Sequence, residues 1–161
     1  MVQHPFPPLY NSESRILILG SFPSVRSREE MFFYGHPQNR FWRVLSSLLG
    51  TSLPANVEEK REMLLTHGIA LWDVIGSCEI QGSADSTIRR ATPNNLTAIF
   101  QAADIRRVFV NGKTALRYYQ AYQYPVTGIE ALCLPSTSPA NAAFGIDRLV
   151  DAWRVITQYL T

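Results

Sequence analysis

Three short stretches of this chain gather residue types that can bind or activate a small polar ligand. Residues 20–24, GSFPS, put a glycine, two hydroxyls and a proline into one turn. Such a turn can aim backbone N–H groups at a ligand; it can equally be a tight connection with no further role. Residues 34–42, YGHPQNRFW, place Gly35 and Pro37 at a sharp turn and His36, Gln38 and Asn39 at a helix start. Free N–H groups there favour anions. Asn39 carries both a carbonyl and an NH2 group, and asparagine is also a common helix cap. Tyr34 reads either as a stacking platform or as a partly buried tyrosine. Phe41 and Trp42 read as core. Residues 134–141, LPSTSPAN, offer the hydroxyls of Ser136 and Thr137, with Pro139 stiffening the tip. Ser138 or Asn141 can simply cap the helix that follows.

These stretches belong to a recognisable alternation of elements. Residues 15–20 (RILILG) form a short apolar run ending in glycine, the pattern of a strand buried on both faces. Residues 69–73 (IALWD), 106–110 (RRVFV) and 131–134 (ALCL) repeat it. Helical spacing is read over residues 39–49, 57–67, 94–103, 113–122 and 141–160. Prolines in the first eight residues suggest an extended lead-in over residues 1–14. Residues 74–93 are polar and glycine-containing and read as one long loop. The expected fold is a three-layer α/β/α sandwich around a mostly parallel four-stranded sheet, formed as a single domain. Ligands of such sheets bind beyond the carboxyl ends of the strands. The turns after Leu19, Leu71, Val110 and Leu134 are therefore where chemistry is expected.

Composition narrows the class. With 161 residues, 46% hydrophobic and 17% charged, the chain can bury one core and is neither disordered nor membrane-like. The opening MVQHPFPPLY has no basic segment followed by an apolar stretch, which favours a cytoplasmic protein of bacterial type. Two cysteines, Cys78 and Cys133, are expected to be buried and reduced. With three scattered histidines, no metal site and no cofactor are expected. A net charge of +2 is too mild to indicate nucleic acid. The doublets Arg26/Arg28, Arg40/Arg43, Arg89/Arg90 and Arg106/Arg107 could track phosphates if they share a face.

Taken together, the three stretches resemble the uracil-DNA glycosylase superfamily. HPQNRFW is similar to the HPxNxFW segment of the mismatch-specific uracil and thymine glycosylases. GSFPS lies at the place of the superfamily's first motif and LPSTSPAN at that of its second. The full set is most similar to the hypoxanthine-DNA glycosylase branch, the DNA-deoxyinosine glycosylases. Two positions depart from the wider pattern. Phe22 stands where most members offer an Asp or Asn that positions water, and Leu134 where a His or Asn is usual.

The resemblance implies an enzyme that flips a deaminated base out of DNA and hydrolyses its N-glycosidic bond. It makes Asn39 the main catalytic residue. Ser21 and Phe22 would contact the polar edge of the base through backbone groups, Tyr34 would stack on it, and Asp73 would lie nearby. Ser136, Thr137, Ser138, Pro139 and Asn141 would form the wedge that enters the DNA. The partner is DNA containing a deaminated base, and a monomer associated with the nucleoid through DNA is expected. Three other readings stay open. The same scaffold can act on uracil or xanthine. Phe22 in the first motif suits a DNA-binding relative without catalysis. A hydrolase of free nucleosides lacks a clear acid/base pair, with Asp73 and Asp85 the carboxylates that come into question.

Overall fold

The computed structural model describes residues 1–160. Its centre is a parallel sheet of β2 (Ile16–Gly20), β3 (Ile69–Asp73), β6 (Arg107–Asn111) and β7 (Ala131–Leu134), in the order β3-β2-β6-β7. All five residues of β2 are buried, as its unbroken apolar run requires. Alternate side chains go to opposite faces. Ile16, Ile18, Ile69, Leu71 and Phe109 pack against helices α2 (Phe41–Leu49), α3 (Val57–Thr66) and α7 (Ile146–Trp153). Leu17, Leu19, Ala70, Val108 and Val110 pack on the other side, with α4 (Thr97–Ala102) and α5 (Lys113–Tyr118). Each fully buried Leu, Ile or Phe contributes roughly 1.5–3 kcal/mol. The expected three-layer α/β/α sandwich is what forms.

Residues 74–93 are not one loop. They contain β4 (Ile75–Glu79) and β5 (Arg89–Pro93), an antiparallel pair that β1 (Val2–Gln3) joins in a second sheet ordered β1-β4-β5. Two shifts of register between β4 and β5 break the apolar alternation that would have marked these strands. The lead-in is likewise tied down: Val2 pairs with Cys78, and His4 N–H donates to the Gly76 carbonyl at 2.8 Å. A short helix, α1 (Val25–Glu30), follows GSFPS, capped by the Ser24 side chain. Cys78 is buried as expected, but Cys133 is only partly so.

The helix expected over 113–122 stops at Tyr118 and widens into a π turn, Tyr119–Gln123, followed by α6 (Tyr124–Thr127). Pro125 has no N–H to continue the ladder. The wider turn points Gln123 inward, where its Nε2 donates to the Val74 and Asn94 carbonyls at 3.2 and 2.7 Å. The last helix starts at Ile146, not 141, and tightens to a 3-10 helix over Arg154–Tyr159. Arg40 explains the late start: its guanidinium takes the carbonyls of Ser138, Asn141 and Phe144, and so holds residues 138–144 out of a helical path.

Candidate active site

Gly20 ends β2 directly opposite Asp73, the last residue of β3. A Cβ on Gly20 would stand 2.5 Å from Asp73 Oδ1 and 3.1 Å from Tyr34 Oη. Two polar oxygens thus pack close over the Gly20 backbone, in space that any side chain there would need. Asp73 is buried, and its Oδ2 lies 2.8 Å from Nε2 of His4. Asn94 Nδ2 donates to the Asp73 carbonyl at 2.8 Å, which fixes the strand end.

Tyr34 sits at φ 52°, a left-handed conformation that a bulky residue rarely adopts without reason. Two contacts hold it there. Its ring stacks on Phe41 with centroids 4.1 Å apart, and its carbonyl accepts the Trp42 indole N–H at 3.2 Å. The phenol oxygen is buried without a hydrogen bond of good geometry. Burial pushes the Tyr34 hydroxyl far above the ordinary phenol range; the Asp73 charge adds to this, and the Asn111 side chain partly relieves it.

The turn after β2 uses its carbonyls and leaves its donors. Val74 N–H donates to the Gly20 carbonyl at 2.9 Å and Ile75 N–H to the Ser21 carbonyl at 3.2 Å. Among the described residues, no hydrogen bond uses the N–H of Ser21 or Phe22. The Ser21 hydroxyl donates to Asp85 Oδ2 at 2.8 Å. Burial raises the Asp85 carboxyl; the Ser21 bond opposes the shift and the Asp73 charge adds to it. The Phe22 side chain is buried in the core, with the Arg28 guanidinium 5.6 Å over its ring. Only its backbone is left to meet a ligand.

Asn39 is half-buried at the entrance to α2. Its Oδ1 accepts the Phe41 N–H at 2.9 Å in an Asx turn; the cap position itself is Arg40, so Asn39 stands one residue before the cap that the sequence suggested. The NH2 group and a second lone pair on Oδ1 remain for a ligand. One residue on, Arg40 joins this segment to the turn after β7. Its N–H donates to the Thr137 carbonyl at 3.0 Å. Its guanidinium reaches the carbonyls of Thr137, Ser138, Asn141 and Phe144. Arg40 is therefore an internal strut and not a phosphate contact.

The turn itself is tightly built. Ser136 Oγ accepts the Ser138 N–H, Ser138 Oγ accepts the Ala140 N–H, and Asn141 Nδ2 donates to the Ser136 carbonyl, each at 3.0–3.1 Å. Pro139 is half-buried, and Ala140, Ala142 and Ala143 form the exposed tip. Thr137, expected to contact DNA, is fully buried. Asn111 explains this: its Nδ2 donates to Thr137 Oγ1 at 3.0 Å, and Thr137 N–H donates to its Oδ1 at 3.1 Å. Thr137 is an anchor for the loop. Asn111, which follows Val110 and was not singled out in the sequence, ties that loop to β6 beside Tyr34. Its position at a strand's carboxyl end was the available signal.

The arginine doublets are not all on the site's side of the sheet. Arg106 and Arg107 lie at the amino end of β6, the opposite edge of the sheet. Arg26 pairs with Glu30 at 2.7 Å, and Arg90 lies 3.7 Å from Glu79. Two open clefts, one lined by Thr51, Glu59 and His67 and the other by Arg15, His67 and Gly68, include residues leading into β2 and β3. They too are away from the carboxyl-end site.

Fold and site together define an α/β domain that presents a polar niche, an aromatic ring and a carboxamide at the carboxyl edge of its parallel sheet. The model of the Uracil DNA glycosylase superfamily matches residues 7–157. A protein named hypoxanthine DNA glycosylase from Methanosarcina acetivorans is 34% identical over 161 residues, covering 99% of this chain and 100% of its own. One of the same name from Methanosarcina barkeri is 34% identical over 143 residues, covering 88% and 89%. A solution NMR structure of a Methanosarcina acetivorans protein carrying a uracil DNA glycosylase name superposes with a TM-score of 0.83 at 31% identity, covering 99% of both chains. The chain belongs to the uracil DNA glycosylase superfamily.

Proposed function

We propose that this protein is a DNA glycosylase that releases hypoxanthine from deoxyinosine and leaves an abasic site. The observation that carries the reading is the junction of two distant segments at one sheet edge: the Arg40 backbone and guanidinium hold the 135–144 turn against the residue that follows Asn39. Full-length similarity to relatives named hypoxanthine DNA glycosylase supports the choice of base.

A base stacked in a duplex is out of reach, so the nucleotide must be flipped, at a cost of a few kcal/mol that a mispair lowers. In this reading the Pro139–Asn141 turn enters the gap, and Ser136 and Ser138 hold its shape. Tyr34 stacks on the flipped base. The unused N–H groups of Ser21 and Phe22 meet its carbonyl oxygen, and Asp73 Oδ1 accepts from its ring N–H. Deamination creates that pair of groups: hypoxanthine presents a carbonyl beside a ring N–H, where adenine presents an amino group beside a ring lone pair. Bond cleavage develops positive charge on the sugar and negative charge on the base. The Asn39 carboxamide supplies donors toward the departing base or orients the attacking water, and it cannot act as a strong general base.

Uracil and xanthine also carry a ring N–H beside a carbonyl, and Asp73 would accept from them too. Duplexes each holding one deoxyinosine, deoxyuridine, deoxyxanthosine or deoxyadenosine, treated with the protein and then alkali, test the proposal. Strand scission at deoxyinosine is expected. Scission at deoxyuridine alone would replace hypoxanthine by uracil as the substrate, and scission at none would leave a DNA-binding relative without catalysis.

A further inference from the structure

The buried histidine at position 4 lies in the lead-in and is not used by the chemistry above. Its side chain is 3% exposed and its Nε2 is 2.8 Å from Asp73 Oδ2. The Phe6 N–H points at its Nδ1 at 3.4 Å. A ring nitrogen that accepts a hydrogen bond carries no proton, so the proton sits on Nε2 and is donated to Asp73. Three aromatic rings fix the imidazole plane: Phe6, Phe22 and Trp72 stand edge-on, with centroids 4.6, 5.9 and 6.0 Å away. The backbone is held as well, by the Gly76 carbonyl.

We propose that His4 is a positioning residue for substrate choice: it binds one carboxylate oxygen of Asp73 and so presents the other, Oδ1, to the flipped base as a pure hydrogen-bond acceptor. This rests on the reading of Asp73 as a base contact. The geometry supports a fixed orientation. Oδ2 is engaged by His4, and Oδ1 lies against Gly20 near Tyr34 Oη. Among the described residues Oδ1 accepts no hydrogen bond. An ionised carboxylate has no donor to offer. A purine whose N1 carries a proton is therefore accepted, and one whose N1 is a lone pair meets a fixed negative oxygen. The amino end of the chain thus sets which bases the pocket takes.

The test compares single-turnover release from deoxyinosine and from deoxynebularine, a purine nucleotide that lacks the N1 proton. The ratio of the two rates is measured for the wild type, His4→Phe, His4→Gln and Asp73→Asn. The wild type is expected to favour deoxyinosine strongly. His4→Phe fills the space without a donor, and the ratio should fall by roughly ten- to a hundredfold, the worth of a hydrogen bond to a charged group. His4→Gln places an N–H near the lost Nε2 and should recover the larger part of the ratio. Asp73→Asn should collapse it. A general loss of stability would slow both substrates alike and leave the ratio unmoved.

A wild-type ratio in His4→Phe with a collapsed ratio in Asp73→Asn overturns the role of His4 and leaves the base contact standing. An unchanged ratio in Asp73→Asn overturns the base contact and, with it, the role of His4. No release of hypoxanthine by the wild type overturns the proposed function and both readings. If His4→Phe does not fold, a folded His4→Gln with a collapsed ratio overturns the role of His4, and a largely retained one supports it.

Discussion

The Asn39 side chain is asked to do two things at once. Its Oδ1 accepts the Phe41 N–H where α2 begins, and among the described residues its NH2 group has no partner, which leaves it for a ligand. Asn39→Ala removes both. Base release should fall at least about a hundredfold, the usual loss for one donor aimed at developing charge. Stability should fall by only about 1 kcal/mol, the usual net worth of one hydrogen bond. Single-turnover assay and thermal unfolding on the same preparation separate the two effects. Asp85 makes a different demand. Burial raises its carboxyl, so the folded state holds the proton more tightly than the unfolded state. Stability must then fall as pH rises from the ordinary carboxylate value through the raised one. Asp85→Asn removes that penalty and can still accept from Ser21. The variant should unfold at a higher temperature than the wild type at pH 7, and its advantage should shrink as pH drops below the ordinary carboxylate range.

At the scale of elements, the 135–144 turn is set by Arg40 more than by its own sequence. A lysine there keeps the charge but loses the planar fork that serves several carbonyls. Arg40→Lys should cost roughly 1–3 kcal/mol through carbonyls left without a donor. Amide exchange over residues 136–144 should rise, and base release should slow. Unchanged exchange in that turn would show that the guanidinium does not hold it. The same residue marks a limit of reading from sequence. Beside Arg43 it looked like part of a basic face, because a guanidinium on a helix is usually solvated. Nothing in local spacing says that four carbonyls from about a hundred residues away will enclose it. The parallel strands were legible because apolar runs bounded by glycine have few other meanings. Strands β4 and β5 were not, because their shifted register scatters the alternation and half their residues are polar. Asn39 and Tyr34 stood out through the HPQNRFW segment. Asn111 was hidden because only its place after Val110 marked it, and its partner Thr137 lies 26 residues on. Thr137 was misplaced because a hydroxyl in a loop reads as exposed until its buried partner is known.

Over the whole molecule, positive charge is spread thin. The net charge is +2, Arg40 is enclosed, and Arg107 lies at the sheet edge opposite the site. Affinity for DNA should therefore depend only mildly on salt. The slope of log K against log salt is expected to correspond to fewer than about six phosphates. Anisotropy titrations of a labelled duplex over a range of salt concentrations measure it, and a slope near ten phosphates would reveal a basic surface that this arrangement of arginines does not offer. The strand at Val2–Gln3 carries one more implication. It stitches the first residues into the small sheet and delivers the imidazole to the floor of the niche. A purification handle fused ahead of Met1, or a protease nick before Phe6, would disturb the grip on the carboxylate before it disturbed the fold. Preparations differing only at that end should differ in fidelity, with the untagged protein the more selective.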